Sequence, residues 1–178
     1  MKITELTFEF VIIGTKQQLA KTYNYSISTI CVGNTDIVAS SHVRNLRAWF
    51  DERFSMETHI MKTCGAAFYH LHNIRRIRKY LSQDIAETLI HAFVTSQIDY
   101  CNSLLFGLPS FHICKIQRVQ NAAACVIFMK SKYRHITPLL KELHWLPVTY
   151  RIQFKVILIT FKALHDMAPS YISNLLHV

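Results

Sequence analysis

Acidic residues are the first place to look for hydrolytic or phosphoryl-transfer chemistry, and this chain has 11 of them. Only Asp51 and Glu52 are adjacent, and they come directly after a candidate strand. Two-metal catalysis requires several carboxylates that converge on both ions, whereas an isolated acidic pair is typical of a solvated turn. The sequence also has no Gly-rich phosphate loop and no GxSxG motif. We therefore predict that the chain is not an enzyme as it stands.

Histidine and cysteine are abundant, but they lack the spacing of a metal site. Cys64, His70 and His72 fall on one predicted helix, yet their separations do not place them neatly on one face. No HExxH or CxxC pattern occurs among the 10 histidines and 5 cysteines, so we expect no metal and no cofactor. The odd cysteine count and the lack of a preceding signal peptide predict reduced thiols and an intracellular location, in the nucleus or cytoplasm.

Positive charge is the strongest chemical signal in the sequence. The formal net charge is +9, and residues 62–134 contain ten Lys or Arg against three Asp or Glu. This clustering predicts a basic patch and an acidic partner, of which nucleic acid is the commonest. The predicted phosphate contacts are Arg75, Arg76, Arg78, Lys79, Lys115, Arg118, Lys130 and Lys132. A second interpretation of the cluster at 75–79 is that it complements the negative C-terminal end of a helix dipole.

An anionic membrane surface is the competing acidic partner. No apolar run approaches the roughly 20 residues that span a bilayer. The longest apolar run, at 156–161, is flanked by Lys155 and Lys162. We therefore predict no membrane partner.

Short antiparallel strands are predicted in the N-terminal part. The run Phe8–Ile13 is rich in β-branched and aromatic residues. The runs Tyr25–Cys31 and Thr35–Ala39 flank a Gly-Asn pair at 33–34, which suits a primed hairpin turn. A fourth strand is predicted at Val43–Phe50. Such a sheet is too small to be a stable domain alone.

Helices are predicted from Ser55 onward, because apolar residues there recur every three or four positions. Ser55 is the expected N-cap of a long basic helix, and Ser82 is that of a second helix. A third helix begins at Pro109–Ser110 and points Lys115 and Arg118 outward. Short connections make successive helices antiparallel neighbours.

Proline marks the starts of the remaining helices. A short helix begins at residues 137–138, a long one runs from Val148 to about His165, and a last one begins after Pro169. The long helix is apolar almost all round, so we expect it to be buried.

The predicted fold class is α+β and mostly α, with a small N-terminal antiparallel sheet followed by a multi-helix bundle. Residues 1–54 form the strands, and residues 55–134 form a basic three-helix region. Residues 135–178 form C-terminal helices that pack on that region.

Several segments of the chain, in a fixed order, resemble one family. They read FVIIGTKQQL, WFDERFSMETHI, DYCNSLLFGLP, KIQRVQNAAACVI, HITPLLKELHWLPVTYRIQFKVILITFKALH and APSYISNLL. Together they resemble the C-terminal part of a non-LTR (LINE-type, jockey-like) retrotransposon reverse transcriptase, an RNA-directed DNA polymerase. The resemblance covers nearly the whole chain.

The resemblance implies a role for each part of the chain. Residues up to about 54 would be the closing strands of the polymerase palm. The helices from about 55 onward would form a thumb-like region that grips the template–primer duplex. The family's aromatic-Ala-Asp-Asp catalytic motif and its fingers are absent, so no residue takes the metal-binding role. Arg47 and residues 1–6 depart from the family pattern, which suggests a degraded or truncated copy.

Three hypotheses follow for the function. The first is a reverse-transcriptase remnant that binds RNA or DNA duplexes without sequence specificity, to which a partner could supply the missing palm and fingers. The second is a helical protein-interaction module co-opted by a host, with a homodimer formed through the exposed apolar face. The third is a fragment without function.

Overall fold

The computed structural model describes residues 8–24, 29–33, 35–131 and 135–176. The chain divides into two compact units, Met1–Met61 and Lys62–Val178. The first contains short strands, one short helix and the start of a longer helix, and in the described part of the second all regular elements are helices. The predicted fold class, α+β and mostly α, is confirmed. Apart from 55–61, the predicted segments 55–134 and 135–178 fall within the second unit.

The first unit begins with an irregular segment and a helix. The predicted strand at Phe8–Ile13 is wrong, because isolated hydrogen bonds replace a strand ladder there, such as that from Ser40 N to Phe10 O (2.9 Å). The helix α1, Lys16–Asn24, was not predicted. Its first turn is closed by a reciprocal pair, in which Thr15 N donates to Gln18 Oε1 (2.9 Å) and Gln18 N donates to Thr15 Oγ1 (3.3 Å).

The first hairpin agrees with the prediction. Strands β1, Thr29–Val32, and β2, Thr35–Val38, pair antiparallel. Gly33 has a φ of +64°, which glycine adopts without steric cost. The rest of the prediction, at residues 25–28 and 34, lies outside the described residues.

The second hairpin corrects the prediction of one strand at Val43–Phe50. The structure has two antiparallel strands there, β3, His42–Asn45, and β4, Ala48–Asp51. Leu46 and Arg47 form the turn, with φ values of 45° and 67°. The two hairpins belong to separate two-stranded sheets, so the predicted single small sheet is also corrected.

Two long helical stretches follow, as predicted. They comprise α2 (Glu57–Ile77) with a 3₁₀ turn (Arg78–Tyr80), then α3 (Gln83–Ile90), a π-helical turn (His91–Thr95) and α4 (Ser96–Asp99). The Ser82 side chain accepts a hydrogen bond from Ile85 N (3.3 Å), which confirms Ser82 as the N-cap of α3. Residues 83–99 are helical without interruption, and the π-helical turn is the part that was not predicted.

The remaining helices begin where proline indicated. They are α5 (Ser110–Ile127), α6 (Thr137–Glu142), α7 (Val148–Leu164) and α8 (Ser170–Ser173), and a 3₁₀ segment (Asn102–Leu105) precedes α5. Helix α5 is the centre of the second unit, since it packs against α3, α6 and α7. Its residues Ile116, Val119, Ala123 and Ile127 are buried.

Helix α7 differs from the prediction that it is buried. Val148, Ile152 and Ala163 are its buried apolar residues, whereas Phe154 and Ile157 are 57% and 66% exposed. One face therefore packs on the core and the other faces outward. No helix in the described part of the chain has the length and apolar character needed to cross a membrane.

Candidate nucleic-acid interface

Arg78 lies at the point where the ends of α2 and α5 meet. Its Nε donates to Val126 O and Ile127 O, each at 3.1 Å, its Nη2 donates to Ile127 O at 2.5 Å, and its Nη1 donates to Leu81 O at 2.7 Å. The residue is only 6% exposed. The last carbonyls of a helix have no partner within the helix, and the guanidinium supplies one. This corrects the prediction that Arg78 is a phosphate contact. Arg78 complements the negative C-terminal end of α5, and not that of its own helix.

Three exposed cations surround the buried Arg78. Arg75, Lys79 and Lys130 line an open depression of about 630 Å³ at the C-terminal ends of α2 and α5. The other lining residues are Arg78, Cys125, Val126, Met129 and Ser131. No Asp or Glu is among these described lining residues. We call this depression the basic depression.

Two thiols show how α2 and α5 are placed side by side. Burial raises the pKa of Cys125, although the charge of Arg75 lowers it to a smaller extent. Burial likewise raises the pKa of Cys64, opposed by the charge of Lys115. Cys64 near the start of α2 lies close to Lys115 of α5, and Arg75 near the end of α2 lies close to Cys125 farther along α5. The two helices therefore run in the same direction. Both thiols are held in the protonated form, which is a poor nucleophile and a poor metal ligand, and all five cysteines are free.

The structure separates the other predicted contacts from the basic depression. Arg76 lines a different groove of about 530 Å³, with His70, Ile77 and Phe93. Arg118 is exposed and Lys115 is half-buried, and they lie about 14 and 18 Å along the α5 axis from Ile127. Lys132 lies outside the described residues.

An exposed tyrosine borders the basic depression. Lys79 Nζ lies 4.7 Å from the centroid of the Tyr80 ring, and Tyr80 is 76% exposed. Sequence analysis could identify the cluster at 75–79 by charge alone. It could not predict that Lys130 lies beside Arg75 and Lys79, because that proximity depends on how α5 packs beside α2.

The acidic pair at 51–52 serves the fold of the first unit. Asp51 Oδ2 accepts from Ser55 N (3.0 Å), and Oδ1 accepts from Met56 N (2.9 Å). Burial raises the pKa of this carboxyl, but hydrogen bonds from Ser55, Met56 and Arg53 outweigh that effect and hold the pKa below its usual value. Ser55 Oγ in turn accepts from Glu57 N (3.2 Å). Asp51 thus fixes the chain just before α2, a role that the sequence did not reveal.

The described residues contain no group of three or more His, Cys, Asp or Glu that could hold a metal ion. In comparisons with known proteins, no family model, no curated protein and no solved structure matches the chain.

Proposed function

We propose that this protein is a remnant of a non-LTR retrotransposon reverse transcriptase whose helical unit binds nucleic acid without sequence specificity. The ordered motifs between FVIIGTKQQL and APSYISNLL support the origin. The observation that carries the binding is the convergence of Arg75, Lys79 and Lys130 on one open depression, among whose described lining residues there is no carboxylate. We do not propose polymerase activity for this chain, since the family's aromatic-Ala-Asp-Asp motif is absent from the sequence.

The chemistry of the basic depression fits a phosphodiester backbone. Arg75 offers a planar guanidinium that can bind two phosphate oxygens, whereas Lys79 and Lys130 act as point charges. Such contacts position a strand but do not read its sequence. Tyr80 adds an exposed ring at the edge, where an unpaired base can stack. Arg118 and Lys115, farther along α5, would contact phosphates away from the depression.

Fluorescence anisotropy with a labelled RNA–DNA hybrid, titrated at several salt concentrations, tests this function. Five phosphate contacts, three in the basic depression and two farther along α5, predict a slope of about −4 to −5 for the logarithm of the association constant against the logarithm of salt concentration. Two hybrids of unrelated sequence should bind equally well. No binding at low salt, or binding that is indifferent to salt, would refute the proposal. A primer-extension assay on the same samples should give no product.

A further inference from the structure

A cavity of about 320 Å³ opens beside the first half of α7. Its walls come from the end of α4, the 3₁₀ segment, the turn after α6, and α7 itself. The lining residues are Asp99, Asn102, His144, Leu146, Arg151, Phe154, Lys155 and Leu158. None of them lines the basic depression. We call this cavity the α7 cavity, and its volume is that of a site for a small molecule.

Asn102 is the buried polar residue in the wall of the α7 cavity. It is only 5% exposed, and no described residue donates a hydrogen bond to its Oδ1. The residue before it, Cys101, has a φ of 53°, which is unfavourable for a residue other than glycine. A buried amide oxygen without a donor is also unfavourable. A bound molecule that supplies an N–H group would satisfy this oxygen.

An ion pair between Asp99 and Arg151 forms a second part of the wall. Arg151 Nε donates to Asp99 Oδ1 (2.9 Å), and Arg151 Nη2 donates to Asp99 Oδ2. Both side chains are partly buried, at 33% and 21% exposed. A carboxylate can accept more than two hydrogen bonds, and a guanidinium has further N–H groups at Nη1. Each member of the pair can therefore bind one more group of opposite charge.

Lys155 adds a second cation to the α7 cavity. Its side chain is exposed, and in the described part of the chain no carboxylate lies within ion-pair distance of it. Lys155 and Arg151 Nη1 thus offer donors to an anionic group, whereas Asp99 and Asn102 offer acceptors to an N–H group. The apolar lining residues are Leu146, Phe154 and Leu158. The cavity therefore combines donors, acceptors and an apolar surface.

We propose that the α7 cavity binds a free α-amino acid with an apolar side chain of about the size of leucine. Its carboxylate binds Lys155 and Arg151, and its ammonium group binds Asp99 and the Oδ1 of Asn102. Its side chain packs against the apolar lining. A simple organic anion leaves the Oδ1 of Asn102 without a donor, and a simple amine lacks the anionic group that Lys155 needs. An α-amino acid supplies both groups on one carbon atom.

Isothermal titration calorimetry of the full chain with L-leucine tests this site. We expect saturable binding of one molecule per chain. Isocaproate has the carbon skeleton of leucine without the ammonium group, and isoamylamine lacks the carboxylate. Each should bind at least about tenfold more weakly than leucine, because each loses charged hydrogen bonds.

Three variants identify the cavity as the place of binding. Asn102→Leu should weaken leucine binding at least about tenfold, and it should keep or raise the melting temperature because it removes a buried amide that has an unpaired oxygen. Lys155→Gln should weaken leucine binding to a similar extent without a change in folding, since Lys155 is exposed. Lys162→Gln is the matched control, because Lys162 is an exposed lysine of the same helix that does not line the cavity. This variant should bind leucine like the wild type.

Several outcomes would overturn the inference. They are the absence of saturable binding with L-leucine at millimolar concentration, equal affinities for leucine and isocaproate, and wild-type affinity for leucine in Lys155→Gln. Nucleic-acid binding is a separate property, because the basic depression uses other residues. Lys155→Gln should therefore bind the RNA–DNA hybrid like the wild type.

Discussion

The guanidinium of Arg78 binds the main-chain oxygen of Ile127, 49 residues later in the chain, at 2.5 Å. This contact joins the end of the α2 segment to the end of α5, and the backbone oxygens of Val126 and Leu81 complete it. It also places the exposed Arg75 and Lys79 beside Lys130. One buried arginine thus organises the surface on which the exposed cations converge.

Replacing Arg78 should destabilise the protein. Arg78→Ala removes several charged hydrogen bonds, including those to the buried Ile127 oxygen, while Val126 O keeps the bond from Met129 N. We expect a loss of about 2–4 kcal/mol in the free energy of unfolding. Arg78→Lys should give an intermediate loss, because an ammonium group cannot reproduce the planar fork. Urea denaturation measures both.

Arg76→Ala is the control for this substitution. Arg76 is exposed on the same helix, and its removal should change the unfolding free energy by no more than about 0.5 kcal/mol. Equal losses in Arg78→Ala and Arg76→Ala would show that the buried hydrogen bonds contribute nothing.

Stability of the first unit should depend on the protonation of His59. This residue is only 4% exposed, and its Nδ1 accepts from Trp49 N (3.4 Å). Burial lowers the pKa of His59 from its ordinary value of 6.5. The imidazole therefore binds a proton at a higher pH in the unfolded chain than in the folded one. The contribution of His59 to the free energy of unfolding is fully present above pH 6.5 and is lost as the pH falls below that value.

Denaturation at a series of pH values between neutral and mildly acidic measures this dependence. His59→Asn keeps an acceptor for Trp49 N but cannot titrate, so its stability should vary less with pH. His72→Asn changes an exposed histidine on α2 and should keep the wild-type profile. Identical profiles for all three proteins would contradict the role of His59.

The turn between β3 and β4 offers a route to higher stability. Leu46 and Arg47 both have positive φ, which costs an L-residue other than glycine roughly 1–2 kcal/mol. The double variant Leu46→Asn/Arg47→Gly matches the turn and should raise the unfolding free energy by about 1–2 kcal/mol. Arg44→Gly, in β3, should lower it. A double variant less stable than the wild type in thermal melts would argue against this turn geometry.

Much of the fold could be predicted from local signals. The Gly33 turn, the Ser82 cap and the proline-marked starts of α5 and α7 depend on conformational preferences of single residues, and the structure confirms them. Helix α1 also had such a signal, since Thr15 and Gln18 have capping-box spacing. Helix α1 was not predicted, because its mostly polar sequence lacks the apolar periodicity that indicates a packed helix.

The predictions were wrong at positions where contacts between distant parts of the chain determine the local structure. Leu46–Arg47 turns without glycine or asparagine, so a single strand was predicted through it. Phe8–Ile13 has strand composition but no strand ladder. The candidate site was also predicted only in part. Charge identified Arg75 and Lys79, but from the sequence Arg78 could not be distinguished from them, because its buried position depends on hydrogen bonds to carbonyl oxygens almost 50 residues away.

The most direct test of the central claim compares two triple variants that remove the same charge. Arg75→Gln/Lys79→Gln/Lys130→Gln alters the basic depression, and Lys16→Gln/Lys141→Gln/Lys162→Gln alters exposed lysines on α1, α6 and α7. For binding to the RNA–DNA hybrid, the first variant should reduce the magnitude of the salt slope by about three. The second should keep nearly the wild-type slope and affinity. Equal weakening in both variants, or weakening in neither, would contradict a nucleic-acid interface at the basic depression.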